Sequence, residues 1–238
     1  MSTKLSVVIP CYNESKNITP LVNRFSSCRP SERGFELVLV DNGSTDGSAK
    51  AMRLLAAKYR FLKIATVKNN VGYGHGIFTG LKAASGEFAC WTHADLQADP
   101  LDVVRAYEIA ARQPAPVSCY VKGARKNRPL ADAFFAFGMS VFALFALGKW
   151  LADINAQPNL FHRSFLPKLK NPPDDFSFDL YALFIAKKEG MTIIRFPVDF
   201  SRREHGQSHW NTGLSGKWKF IKRTALFTVG LRRRLEVV

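Results

Sequence analysis

The stretch "FELVLVDNGSTDGS", Phe35 to Ser48, reads as a strand, a polar loop and a helix start in one run. Phe35 to Val40 is short, apolar and rich in branched side chains, as a strand covered on both faces of a parallel sheet must be. Asp41-Asn42-Gly43-Ser44-Thr45-Asp46-Gly47 then crowds carboxylate, amide and hydroxyl groups at the strand's end. Asp46 or Ser48 can cap the helix that the spacing predicts over Ser48–Lys58. A strand that passes through a short loop into a helix is half of a parallel crossover unit.

The pattern recurs. "LSVVIP" from Leu5, "LKIATVK" from Leu62 and "EFACWTH" from Glu87 are further short strands, with helices expected over Lys16–Ser27, Gly76–Ala84 and Pro100–Arg112. Asp99 followed by Pro100 is a strong helix start. These alternations predict an α/β fold with a mostly parallel central sheet flanked by helices. After "VSCYVKG" the order loosens into a basic loop (Lys122, Arg125, Lys126, Arg128), an apolar helix, "NLFHRSF", a turn at Asn171-Pro172-Pro173, a helix near Asp179–Lys188 and the strand "MTIIRFPVDF". A tail mixing Trp210, Trp218, Phe220 and Phe227 with Lys and Arg follows. No internal repeat stands out, and residues 1–238 read as one domain.

A chain of 238 residues with 47% hydrophobic side chains can bury a sizeable core and is not disordered. Its net charge of +15 calls for an anionic partner: a nucleic acid, a phospholipid surface or a phosphorylated small molecule. Cys11, Cys28, Cys90 and Cys119 have no metal-finger or CxxC spacing and read as reduced, mostly buried thiols. "MSTKLSVVIP" enters a strand directly, which argues against a signal peptide. The apolar run from Ala133 to Gly148, bracketed by Asp132 and Lys149, is shorter than the ~20 residues of a spanning helix. It suits a helix in the membrane interface or in the core.

Ligands of open parallel sheets sit at the carboxyl ends of the strands, and here four such ends are polar. They are Pro10-Cys11-Tyr12-Asn13-Glu14, the Asp41–Gly47 loop, Lys68-Asn69-Asn70-Val71-Gly72, and the segment "CWTHADLQADP" from Cys90. The glycine run "NVGYGHGIFTG" follows the third strand and lacks the GxGxxG spacing, so a dinucleotide-binding dehydrogenase does not fit. His93, Asp95 and Gln97 alternate and would share a face in an extended chain, as a polar turn or as ligands of Mg²⁺ or Mn²⁺ on a diphosphate. The acidic strand ends would repel a nucleic-acid backbone, which disfavours that class of partner.

With those residues in view, the chain resembles the family 2 glycosyltransferases of GT-A fold, most closely the dolichol- or polyprenyl-phosphate mannose synthase branch. "SVVIPCYNES", "LVLVDNGSTDGS", "NNVGYGHGIFTGLKAASGEF", "HADLQADP", "FSFDLYALFIAKKEG" and "RFPVDFSRREHGQSHW" carry the likeness. His93 stands where the family usually has the first aspartate of DADLQ, Cys119 where the branch often has arginine, and His209 where lysine usually follows the serine. The resemblance implies a Rossmann-like nucleotide-sugar half over about 1–120 and an acceptor half over about 121–238, with an interfacial helix near 130–150 and a basic C-terminal helix. It also implies a nucleotide site lined by Pro10, Tyr12, Asn13, Glu14, Asp41, Gly43, Ser44, Asn70, Gly72, Gly76 and Ala94, with Asp41 on the base or ribose. Asp95 would be the main ligand of Mg²⁺ or Mn²⁺, with Gln97 and His93 beside it, while Arg203 and Ser208 would clamp the donor diphosphate. Asp95, Arg203 and Asp179 would be catalytic, with Asp175 or Asp179 as the base for a hydroxyl acceptor, and a capping role for Asp179 at its helix start fits at least as well. Lys122, Arg125 and Arg128 would hold an acceptor phosphate. The implied reaction is an inverting transfer from an NDP-sugar of GDP-mannose or UDP-hexose type to a polyprenyl phosphate, or alternatively to a growing glycan. The implied place is the cytoplasmic face of an anionic membrane surface, where an integral membrane partner would also fit.

Overall fold

The computed structural model describes residues 2–126, 130–199 and 214–236, with side chains over 2–126, 137–199 and 222–233. Strands β1 (Leu5–Cys11), β2 (Phe35–Asn42), β3 (Leu62–Val67), β4 (Phe88–Trp91), β5 (Cys119–Arg125), β6 (Asn159–His162) and β7 (Thr192–Val198) form one sheet in the order β3-β2-β1-β4-β6-β5-β7. β1 is parallel to both β2 and β4, β2 to β3, and β5 to β7. β6 runs antiparallel between β4 and β5 and joins the two groups of parallel strands. The sheet is therefore mostly parallel, as the sequence predicts.

Helices α1 (Ser15–Ser26), α2 (Pro30–Arg33), α3 (Ser48–Lys58), α4 (Tyr73–Ala83), α5 (Asp102–Ala111), α6 (Leu130–Leu147), α7 (Phe178–Lys188) and α8 (Leu214–Glu236) flank it. Strand alternation sorts the core into two layers. Val7 and Ile9 of β1 and Leu37 and Leu39 of β2 pack with Ile18, Leu21 and Phe25 of α1 on one face. Val8, Val38 and Val40 pack with Ile77 and Leu81 of α4 on the other. Each such fully buried side chain contributes about 1.5–3 kcal/mol, so the central strands hold the fold and leave their polar ends free for binding.

Element boundaries shift where polar groups or glycines intervene. α4 begins at Tyr73 rather than Gly76, because its glycines let the first turn press onto neighbouring backbone. A Cβ on Gly74 would meet the Pro173 carbonyl and lie 2.7 Å from that of Asp175. α5 begins at Asp102, two residues after Pro100, since the Asp99 carboxylate takes the Leu101 amide at 2.9 Å and an ion pair from Arg24. β4 stops at Trp91, short of His93. All four cysteines are free thiols, and Cys11, Cys90 and Cys119 are buried.

α6 packs against α8, and the described part of this pair carries an apolar surface. Phe145 is 77% exposed and Leu226 64%, with Phe137, Leu144 and Val229, and Trp150 just beyond α6, also exposed. Among the described residues no helix is long and apolar enough to cross a membrane.

Candidate functional site

Because β1, β2 and β4 are parallel neighbours, the loops at their carboxyl ends open along one edge. Between β1 and β2 the two loops are laced together. Asn13 donates its amide to Ser44 Oγ (3.2 Å), and its side-chain oxygen accepts the Thr45 amide (2.8 Å). The Glu14 amide reaches Ser48 Oγ (2.9 Å), and Asp41 accepts the Ser44 amide (3.0 Å). Asp46 accepts the amides of both Ser15 (3.2 Å) and Ser48 (2.8 Å), bridging the starts of α1 and α3. Burial works to raise its pKa, but the hydrogen bonds from Ser48 and Ser15 win and hold this carboxyl below its ordinary range. Asp41 is buried at the rim, whereas Tyr12 stands exposed beside it.

The glycine run closes the next side. Gly43 adopts φ +75°, and a Cβ there would meet the Asn70 nitrogen and come within 2.7 Å of the Asn69 carbonyl carbon. Asn42 donates to the Gly72 carbonyl (2.9 Å), and a Cβ on Gly76 would lie 3.0 Å from Asn42 and 3.1 Å from Pro10. Pro10, Asn42, Gly43, Asn70, Gly72 and Gly76 thus form one tight wall, which places the expected nucleotide-site residues of three loops together.

At the end of β4, Thr92 still donates to Val8 O (3.2 Å), but the chain then bends through 94–97 with Leu96 at φ +57°. The extended alternation expected of His93, Asp95 and Gln97 is absent, because the strand has ended before it could apply. Ala94 and Asp95 are buried, and Asp95 accepts the Gln97 amide at 3.2 Å. The His93 ring stacks on Tyr73, with centroids 5.5 Å apart and planes at 25°. Tyr73 stacks in turn on Phe176 at 4.7 Å and 17°. Among the described residues no three His, Cys, Asp or Glu side chains gather into a closed cage. A buried carboxylate at the open edge of the sheet, with Gln97 near it in sequence, fits instead a hard ion that keeps waters and substrate phosphates among its ligands.

Behind this edge lies a buried polar cluster that sequence reasoning missed. Asp179, on the first turn of α7, does not cap its helix; one of its oxygens accepts from Trp91 Nε1 (2.9 Å), Gln157 Nε2 (3.0 Å) and Asn159 Nδ2 (3.3 Å). Asp175 accepts the Ser177 amide (2.8 Å) and pairs with Arg223 of α8 (3.1 Å). Lys122, expected at an acceptor phosphate, is fully buried: its ammonium donates to Ile154 O, Ala156 O and Asn159 Oδ1 at 2.7–2.8 Å. Alternation along β5 turns it inward, so it offers no surface charge. Arg125 is half-buried and lies 3.7 Å from Asp153. Burial pushes Tyr73 well above its ordinary pKa, and the charges of Asp179 and Asp95 add to the effect. Tyr73, Gln157, Asn159 and Phe176 left little trace in the sequence beyond an aromatic inside a glycine run. Arg128, Arg203, Ser208 and His209 lie outside the described residues.

Comparison with known proteins matches this architecture. The chain is 39% identical over 214 residues to the undecaprenyl-phosphate 4-deoxy-4-formamido-L-arabinose transferase of Proteus mirabilis, and 30% identical over 216 residues to that of Sodalis glossinidius. Each match covers 87% of this chain and 63% of the relative, so the chain spans under two thirds of these curated relatives. Among solved structures it is similar to glucosyl-3-phosphoglycerate synthase from Mycobacterium tuberculosis in complex with Mn²⁺, UDP and glucosyl-3-phosphoglycerate, with a TM-score of 0.70 at 17% identity over 97% of this chain and 80% of that one. A mannosyltransferase from Pyrobaculum calidifontis in complex with GDP-Man and Mn²⁺ gives 0.65 at 20% identity, covering 96% of this chain and 63% of that one. The sequence model described as glycosyl transferase family 2 matches residues 6–166, and the chain belongs to that family.

Proposed function

We propose that the protein transfers a sugar from a nucleoside diphosphate sugar to a polyprenyl phosphate at a membrane surface. The observation that carries this reading is the single edge where the loops after β1 and β2, the start of α4 and the loop after β4 converge around buried Asp41 and Asp95. The names of the relatives support the lipid-phosphate acceptor. The nucleotide would lie against the wall of Pro10, Asn42, Gly43, Asn70, Gly72 and Gly76, whose glycines let the neighbouring loops close tightly on one another. Carboxylates only accept hydrogen bonds, so Asp41 would read donors of the base or ribose. Asp95, with Gln97, would hold Mg²⁺ or Mn²⁺, which when bound neutralises charge developing on the departing diphosphate. Arg203 and Ser208 would close over that diphosphate.

The acceptor class follows from what the carboxylates are doing. Asp179 already takes three donors and Asp175 is tied to Ser177 and Arg223, so neither is presented as a free base. A phosphate acceptor is ionised near neutral pH and needs no base of that kind. The exposed apolar residues of α6 and α8, with Lys149, Lys222, Arg232 and Arg233 beside them, would rest on an anionic lipid surface, placing the enzyme peripherally on the cytoplasmic side. An integral partner would share that surface.

Labelled UDP- and GDP-sugars should be incubated with Mn²⁺ and a short-chain polyprenyl phosphate, then extracted with solvent. Label entering the organic phase supports the reading; label incorporated only into water-soluble glycan, or into nothing, overturns it.

A further inference from the structure

His93 occupies a position where a metal-binding role is expected from the sequence, and in the structure its ring stacks on Tyr73. The loop 92–97 that carries Asp95 is anchored by Ala94 and Leu96, which pack into the core beside β1 and α1. Thr92 is bonded to β1, and the Gln97 amide folds back onto Asp95, but the bend between them contains no strand pairing. The His93 ring stacks on Tyr73, which makes further contacts of its own. Phe176 also stacks on the Tyr73 ring, and the Tyr73 hydroxyl accepts from Gln157 Nε2 at 3.3 Å within the buried Asp179 cluster. The row continues outward. The Arg223 guanidinium sits 5.6 Å over the Phe176 ring, and its Nε pairs with Asp175. His93, Tyr73, Phe176 and Arg223 thus form one stack drawn from the β4 loop, α4, the segment before α7, and α8.

We propose that His93 is a positioning residue: its ring caps the Tyr73 stack and fixes the Asp95 loop, and it is not a ligand of the ion that Asp95 serves. What the stack does to the loop stands on the geometry alone; only the identity of the ion rests on the proposed function. A flat ring is what the position requires, whether or not it carries nitrogen. A ligand would require the nitrogen.

The two roles separate cleanly in His93→Phe. Without ligands, urea unfolding of wild type, His93→Ala, Tyr73→Leu and the double variant gives a double-mutant cycle. Stacked rings should show non-additivity of about two- to tenfold in the unfolding constant, and His93→Phe should recover most of the loss seen in His93→Ala. An additive cycle overturns the stack. Binding of UDP or GDP with Mn²⁺, measured by calorimetry, should weaken about fivefold in His93→Ala and stay within about twofold of wild type in His93→Phe. Pulsed electron paramagnetic resonance of the bound Mn²⁺ should show no imidazole nitrogen coupling. A nitrogen signal that vanishes in His93→Phe, or a His93→Phe as weak as His93→Ala, makes His93 a ligand and overturns the proposal. If neither nucleotide binds the wild type, the proposed function fails, and the unfolding cycle still decides the role of the stack.

Discussion

Replacing Lys122 by methionine tests what holds the half of the sheet behind the site. The ammonium is fully buried and donates to Ile154 O (2.7 Å), Ala156 O (2.7 Å) and Asn159 Oδ1 (2.8 Å). Methionine keeps the length and packing of the stem but donates nothing. Ala156 O still accepts from Asn159 Nδ2 (3.2 Å) and Asn159 Oδ1 from the Tyr120 hydroxyl (3.1 Å), so the main loss falls on Ile154 O, at about 1–3 kcal/mol, with about 1 kcal/mol for each of the other two bonds. Removing the ammonium also relieves a desolvation cost of several kcal/mol, which offsets part of that loss. The net expectation is a destabilisation of about 1–2 kcal/mol at neutral pH, read by urea unfolding. The pH dependence sharpens the test. Burial pushes Lys122 down from 10.5 to about 7, opposed by the charges of Asp179 and Asp153. Between those values the unfolded chain holds a proton that the folded chain has released, so wild-type stability gains from this group as pH rises. The gain is at most about 1.4 kcal/mol per pH unit, and the Lys122→Met variant has no such group to contribute it. The gap between the two proteins therefore widens from neutral to alkaline pH. A variant as stable as wild type at neutral pH, or a gap that narrows as pH rises, refutes the reasoning.

Three other outcomes are expected. Asp95→Asn should lower transfer by about a hundredfold or more while leaving the melting temperature near that of wild type, and near-normal turnover would remove Asp95 from the site. Gly43→Ala must adopt φ +75° against the Asn69–Asn70 backbone, so it should lose about 2–4 kcal/mol in a denaturant melt and weaken nucleotide binding. Phe145→Glu with Leu226→Glu changes two exposed side chains, so sedimentation with anionic vesicles should fall while stability holds. Unchanged sedimentation would rule out this face as the lipid contact.

Strands β1 to β4 and their polar ends were legible because their signals are local: runs of branched apolar residues, each followed by polar turn chemistry. The convergence of Pro10, Asp41, Gly43, Asn70 and Gly76 on one wall then follows from parallel topology. Other features depend on long-range contact and could not be read. Whether Lys122 faces solvent or the core depends on the register of β5 between β6 and β7, which its neighbours in sequence do not encode. Asp179 read as a candidate base or a helix cap because its partners Trp91, Gln157 and Asn159 lie 20 or more residues away. His93, Asp95 and Gln97 were expected to share a strand face; the bend that separates them is set by where pairing of β4 with β1 and β6 stops.

The +15 charge and the acidic strand ends act at different ranges. A large positive total draws anions toward the molecule from beyond contact distance, with salt weakening the pull. On the proposed reading, Asp41 and Asp95 would oppose a diphosphate at contact, and no distant lysine cancels a like charge a few ångströms away. Asp41 would escape the conflict by facing a donor-bearing part of the ligand. Asp95 would escape it only by holding a divalent cation, which supplies the missing positive charge. Lys122, the one buried lysine among the described residues, is spent on backbone carbonyls and Asn159. On the proposed reading, the counter-charge for the diphosphate would then come from a bound ion together with basic side chains such as Arg203, so Asp95 and Arg203 would act as one electrostatic unit.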